Sequence, residues 1–212
     1  MTKVTMVWRV NTDTELDLSA IMAAGWATPA DFTPAEYARA EAFYAAMRAH
    51  DTRLLALREQ AAGLIRQWTG REPRDVGSLG TRLNLETSDL DLGIGYPVAD
   101  RDHLMQALAD RTTFLGERKT SFSTTRLVFS FILEGVEVDL SALTEEDFAV
   151  ACRMLDQIAE TMTEEERVCH LWVKHLLREQ GRLDDYAKWK LVTYARFCPE
   201  FNWVPIREKA SS

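Results

Sequence analysis

Apolar positions recur at helical spacing through the first third of the chain, then run together or alternate through the middle. They return to helical spacing from Thr144 onward. Residues 35–68 are rich in Ala, Leu, Arg and Glu and poor in β-branched residues, which favours helix. Phe43, Met47, Leu54, Leu57, Leu64, Ile65 and Trp68 supply its apolar stripe. Pro34 suits the first turn, a break near His50-Asp51 divides the stretch into two helices, and residues 70–73 end it. Upstream, Lys3 to Val10 predicts a short strand.

In the middle, a short strand around Arg74-Asp75-Val76 leads into Gly77-Ser78. Asp89 to Tyr96 reads as a buried strand closed by Pro97. A short helix over Arg101–Asp110 and a strand over Thr112–Arg118 follow. Arg126 to Leu133 is dense in β-branched and aromatic residues, Glu134-Gly135 turns the chain, and Val136 to Leu140 alternates as the partner strand of a hairpin. Beyond it, Thr144-Glu145-Glu146-Asp147 and Thr163-Glu164-Glu165-Glu166 read as N-caps with acidic first turns, opening helices near 145–160 and 164–180; a third spans 185–197. The predicted class is α+β. Residues 1–70 form a mainly helical extension, 71–143 a small mixed-sheet core flanked by helices, and 144–212 a helical C-terminal part.

Charge narrows the function. A net charge of −8 over 212 residues argues against extensive nucleic-acid binding, which leaves a basic footprint. Cys152, Cys169 and Cys198 are odd in number and widely spaced, which fits a reducing cytoplasm better than a disulfide framework or structural zinc. No signal peptide and no membrane span is expected. The sequence leaves the oligomeric state open.

The chemistry concentrates in VGSLGTRLNLETSDLDLGIGY, residues 76–96. Asp89 and Asp91 in an extended segment share a face, and two adjacent carboxylates repel unless a cation lies between them. Gly77-Ser78 offers backbone N–H groups and a hydroxyl to phosphate oxygens. A third carboxylate, Asp139, sits between Val138 and Leu140 on the hairpin strand, sharing its face with Glu137. Each piece alone also reads as something plainer: a turn, a solvated strand edge, the outer face of an amphipathic hairpin.

Gly-Ser, an interval of about ten residues, D-h-D-h (h apolar) and a later h-D-h strand together resemble the nucleotidyltransferase superfamily typified by DNA polymerase beta, over roughly residues 60–142. The resemblance implies that Asp89, Asp91 and Asp139 are both catalytic and metal-ligating, holding two Mg²⁺ ions, with Mn²⁺ as a substitute. It gives Gly77 and Ser78 the β- and γ-phosphates of an NTP donor, and Asp139 rather than Glu137 the third carboxylate's place. Val168–Leu177, followed by Asp185-Tyr186-Ala187-Lys188-Trp189-Lys190-Leu191, is similar to the helix pair of template-independent members such as poly(A) polymerases and 2′–5′ oligoadenylate synthetases. That second resemblance implies nucleotide binding by Lys174 and Tyr186. It departs at Asp185, where relatives carry Ser or Gln. Lys174 also reads as a surface lysine, and Arg118, Lys119 and Arg126 read as phosphate contacts or as solvated charge. His170 and His175, five apart, make a poor metal pair, and Trp172 and Trp189 read as packing residues.

The expected reaction is metal-dependent transfer of a nucleoside monophosphate from an NTP to a hydroxyl of a small molecule or protein, releasing pyrophosphate. The alternatives are a template-independent polymerase or cyclase acting on RNA ends or NTPs, and a nucleotide-binding regulatory protein without turnover.

Overall fold

The computed structural model describes residues 16–86, 88–120 and 124–201; the strand expected over residues 3–10 lies outside them. Helix α1 (Leu18–Ala24) opens on Asp17, whose carboxylate accepts from the Ser19 and Ala20 amides at 3.0 Å. Helix α2 (Pro34–Ala49) has Pro34 in its first turn and Thr33 as its cap. It ends one residue before α3 (Asp51–Thr69), so the break at His50 is real. Gly70, at φ +67°, terminates α3 in the left-handed conformation.

Five strands follow: β1 (Arg74–Asp75), β2 (Leu90–Tyr96), β3 (Thr113–Lys119), β4 (Thr125–Leu133) and β5 (Val136–Thr144), with α4 (Arg101–Leu108) between β2 and β3. Their order in the sheet is β1-β2-β5-β4-β3. β2 and β5 run parallel and the other pairs antiparallel, which makes the sheet mixed. Glu134 and Gly135 join β4 to β5 with φ values of +50° and +80°, the positive-φ pair that a tight hairpin requires. β5 runs four residues past the expected Leu140, because Ser141 to Thr144 pair with Gly93 to Tyr96 of β2.

Helices α5 (Glu145–Thr161), α6 (Glu164–Glu179) and α7 (Leu183–Phe197) are the last elements of the described residues. Both expected caps form. Thr144 Oγ1 accepts from the Asp147 amide at 3.2 Å. Thr163 and Glu166 bond reciprocally, at 3.2 Å from the Glu166 amide to Thr163 Oγ1 and 2.9 Å from the Thr163 amide to the Glu166 carboxylate.

Strand alternation gives the sheet two unlike faces. Leu90, Leu92, Ile94, Leu127, Phe129, Val138 and Leu140 point one way and are buried against Leu54, Leu57 and Ile65 of α3 and Leu104 and Leu108 of α4. Each such side chain contributes about 1.5–3 kcal/mol by leaving water. The opposite face carries Asp91, Gly93, Gly95, Asp139 and Ser141, and α5 covers only part of it. A Cβ on Gly93 would lie 2.5 Å from Val76 Cγ1 and 3.1 Å from the Phe148 ring. Gly95 is as close to Phe148, so α5 packs tightly on this part of the sheet.

A second core joins sequence-distant helices. Phe43 and Met47 of α2, Ile21 of α1, Trp189 of α7 and the α6 residues Leu171, Trp172 and Val173 pack together. Every residue of α6 from Arg167 to Leu177 is buried. A helix enclosed on all sides takes its neighbours wherever it can find them. Here they come from both ends of the described chain.

Candidate active site

β1 pairs with β2 for two residues only, and the Val76 amide still donates to the Asp91 carbonyl at 3.0 Å. The backbone therefore leaves the sheet alongside Asp91. A Cβ on Gly77 would lie 2.0 Å from Asp91 Oδ2 and 2.3 Å from Asp91 Cβ, so only glycine lets the turn lie against that carboxylate. The turn then closes on itself. The Leu83 amide donates to the Ser78 carbonyl at 2.8 Å, the Thr81 hydroxyl donates to the same oxygen at 3.2 Å, and Arg82 sits at φ +60°.

Asp91 and Asp139 are register partners on adjacent parallel strands, and Asp89 precedes β2 by one residue, exposed. Burial pushes the Asp91 carboxyl above its ordinary range; Lys190 and Arg126 pull it back, while Asp139 and Asp89 push it further up. Burial also raises Asp139, with Asp89 adding to the rise and Arg118 and Arg126 opposing it. Asp139 Oδ1 is buried with no hydrogen-bond partner. At both Asp91 and Asp139, burial and the neighbouring carboxylates outweigh the cations that oppose them. Glu137 lies further along β5, exposed beside Ile132.

Among the described residues no three His, Cys, Asp or Glu side chains form a ready cage for a metal ion. Mg²⁺ seldom asks for one: it is bound through one or two carboxylates with substrate phosphates and water completing the shell. An orphaned buried carboxylate oxygen on Asp139, Asp91 in register beside it and a half-buried glycine turn against Asp91 fit that kind of site.

Cations approach from two sides. Arg126 opens β4 on the carboxylate face and its Nη1 donates to Ser141 Oγ at 2.9 Å. From the helical side, Lys174 of α6 is buried, its Nζ donating to the Leu83 carbonyl at 2.7 Å and lying 5.5 Å from the centre of the Tyr186 ring. Arg167 donates to the Thr81 carbonyl at 3.2 Å. Both side chains of α6 therefore brace the Gly-Ser turn. Tyr186 is buried, 3.3 Å from His170 Nε2 through its hydroxyl. Asp185, at the start of α7, pairs with Arg182 at 2.8 Å.

Lys190 is the residue that the motif reading passed over. Its Nζ lies 6.0 Å from the Tyr186 ring centre and 5.9 Å from that of Tyr194, and it is the foremost charge acting on Asp91. A signal existed. Lys190 follows Tyr186 by four residues and so shares its helix face. His170 stacks on Trp189 at 4.5 Å and His175 on Phe43 at 4.3 Å, so both histidines pack rather than pair.

Burial, reinforced by Lys190, lowers the Lys174 ammonium to about pKa 7. Between about pH 7 and the ordinary lysine pKa near 10.4, the unfolded chain holds a proton there that the folded chain releases. Folding stability gains with pH across that window. In Lys174→Met the rise should shrink, measured as urea midpoints at pH 7 and pH 9.5 for both proteins.

No protein-family model and no curated protein matches the sequence. Solved structures match by shape. The GLD-2/RNP-8 complex aligns with a TM-score of 0.51 at 15% identity, over 79% of this chain and 63% of that one. A mutant of the Cid1 poly(U) polymerase bound to MgATP aligns with a TM-score of 0.50 at 13% identity, over 68% of this chain and 48% of that one. The fold is shared with these neighbours, and it is the α+β arrangement that the Gly-Ser…Asp-x-Asp…Asp resemblance implies. The chain spans less than two thirds of the length of either neighbour.

Proposed function

We propose that the protein is a nucleotidyltransferase that moves a nucleoside monophosphate from an NTP to a hydroxyl group. The observation that carries this reading is the register of Asp91 with Asp139 beside a glycine turn pressed onto the Asp91 carboxylate. In this reading residues 71–143 are the catalytic core and the flanking segments supply the helical wall. Asp89, Asp91 and Asp139 would hold Mg²⁺, which when bound neutralises phosphate charge and lowers the pKa of the acceptor hydroxyl.

The chain's own groups do the rest. Gly77 and Ser78 present N–H groups and a hydroxyl to the β- and γ-phosphates. Lys174 and Lys190 flank Tyr186 and add positive charge on the triphosphate side. Asp139, with its free Oδ1, accepts the proton of the attacking hydroxyl. As the acceptor oxygen bonds to the α-phosphorus, the bond from that phosphorus to the bridging oxygen breaks, and pyrophosphate leaves with its electron pair. Positioning and charge neutralisation supply the rate.

The acceptor favoured by an acidic chain is a small molecule or a protein in the cytoplasm. A second reading, extension of RNA 3′ ends, draws on the fold neighbour named as a poly(U) polymerase. Incubation with each α-labelled NTP, Mg²⁺ or Mn²⁺, and fractionated cell extract separates the two. Label in metabolites or protein supports the first and label in RNA the second. Metal-dependent NTP binding without pyrophosphate release in any fraction would replace both with a regulatory, non-catalytic role.

A further inference from the structure

We infer that Arg118 and Arg126 form a phosphate-binding subsite on the acceptor side of the centre, so that the hydroxyl receiving the nucleotide belongs to a molecule carrying a phosphate ester. As an acceptor subsite it rests on the nucleotidyl-transfer reading above. The two arginines are direct cross-strand partners on β3 and β4. Like charges placed opposite one another in an antiparallel pair destabilise a sheet. Asp139 and Asp91 offset this one only from the neighbouring strands, and among the described residues the Arg118 side chain makes no hydrogen bond or ion pair. Arg126 donates only to the neutral Ser141 hydroxyl.

Arg126 is also incompletely satisfied, because its Nε is buried without a partner. A guanidinium held by one nitrogen with another left bare is set up to receive a planar or tetrahedral oxyanion. Register fixes the direction. Ser130 of β4 faces Asp139 and Val128 faces Ser141, so Arg126, two residues further along, lies on the carboxylate face. Arg118, paired with it, shares that face. The sheet order places β4 and β3 beyond β5, on the Asp139 side of the centre and away from the turn that follows β1, and both arginines act on the charge of Asp139, the carboxylate given to the acceptor hydroxyl. The donor's phosphates are served separately, by the Gly77-Ser78 turn and the lysines of α6 and α7.

Arg118 is exposed and its side chain has no partner to lose among the described residues, so Arg118→Gln should fold normally. Binding to the full chain is measured by calorimetry with Mg²⁺ and non-hydrolysable analogues of the four NTPs filling the donor side. The probes are inorganic phosphate, AMP, adenosine, and a five-nucleotide RNA ending in a 3′-hydroxyl. The expected result is that AMP, the RNA or both bind, adenosine does not, and Arg118→Gln weakens the bound probe about tenfold, the loss of one charge-assisted contact. NTP-analogue affinity should stay unchanged. Arg126→Lys, which keeps the charge but not the fork, should fall in between.

RNA bound without AMP identifies a phosphodiester acceptor, and AMP bound without RNA a small phosphorylated one. If neither phosphate-bearing probe binds, if Arg118→Gln binds them as tightly as the parent, or if the NTP analogue weakens equally, the subsite is wrong. Probe binding in a chain that takes no NTP analogue would instead remove the transferase reading and leave an anion site.

Discussion

Asp91→Asn should lower nucleotidyl transfer by about 10³-fold or more, the scale of losing a group that stabilises transition-state charge, while the fold survives. Asp91 sits among Asp89 and Asp139 with burial already opposing its charge. Neutralising it relieves a folded-state penalty, so the variant should be as stable as the parent or slightly more so. Loss of activity with a retained or raised urea midpoint distinguishes a site residue from a structural one. Full activity in Asp91→Asn would remove the site assignment altogether. The comparison is cleanest near pH 7, where an unperturbed carboxylate is fully ionised.

Gly77→Ala should be nearly as damaging by a different route. The added methyl would meet the Asp91 carboxylate and its Cβ at 2.0 and 2.3 Å, too close for a rotamer change to relieve. Either the turn lifts off the strand or Asp91 swings from its place beside Asp139. Overpacking of this kind costs about 1–3 kcal/mol of stability. Activity should fall about 10²-fold, since catalytic groups displaced by about 1 Å lose that much. Unlike Asp91→Asn, this variant should lose stability and activity together, read from the same urea titration and labelled-NTP assay. A Gly77→Ala protein with parental turnover would mean that the turn does not approach a working carboxylate.

Much of the sheet was legible because local pattern and tertiary role agreed. The Glu134-Gly135 turn, the alternation of Val136 to Leu140 and the break at His50 each have a short-range cause, and each is present. The three aspartates and the Gly-Ser turn were likewise visible as motifs. What sequence could not supply was long-range register. Asp91 and Asp139 become neighbours only because β5 slots in parallel beside β2, with α4, β3 and β4 crossing between. Lys174 could not be read as donating to Leu83, a carbonyl 91 residues away. Lys190 was hidden for a similar reason: a lysine on a helix reads as solvated charge until the Tyr186 and Tyr194 rings are seen beside it.

The enclosure of α6 has a consequence for how the molecule is made. Asp89 and the strands β2 and β5 emerge from the ribosome before α6 and α7 do. The sheet can pair early, but its carboxylates then face water without Lys190, and the Gly-Ser turn lacks its braces from Arg167 and Lys174. α6 in turn packs on α1 and α2, synthesised more than a hundred residues earlier, so that contact is a late and slow one. A half-made chain would thus carry the acidic centre without the cationic wall that faces it. The acidic centre meets Lys190 only with the docking of the last described helix, so the order of synthesis sets when the two come together.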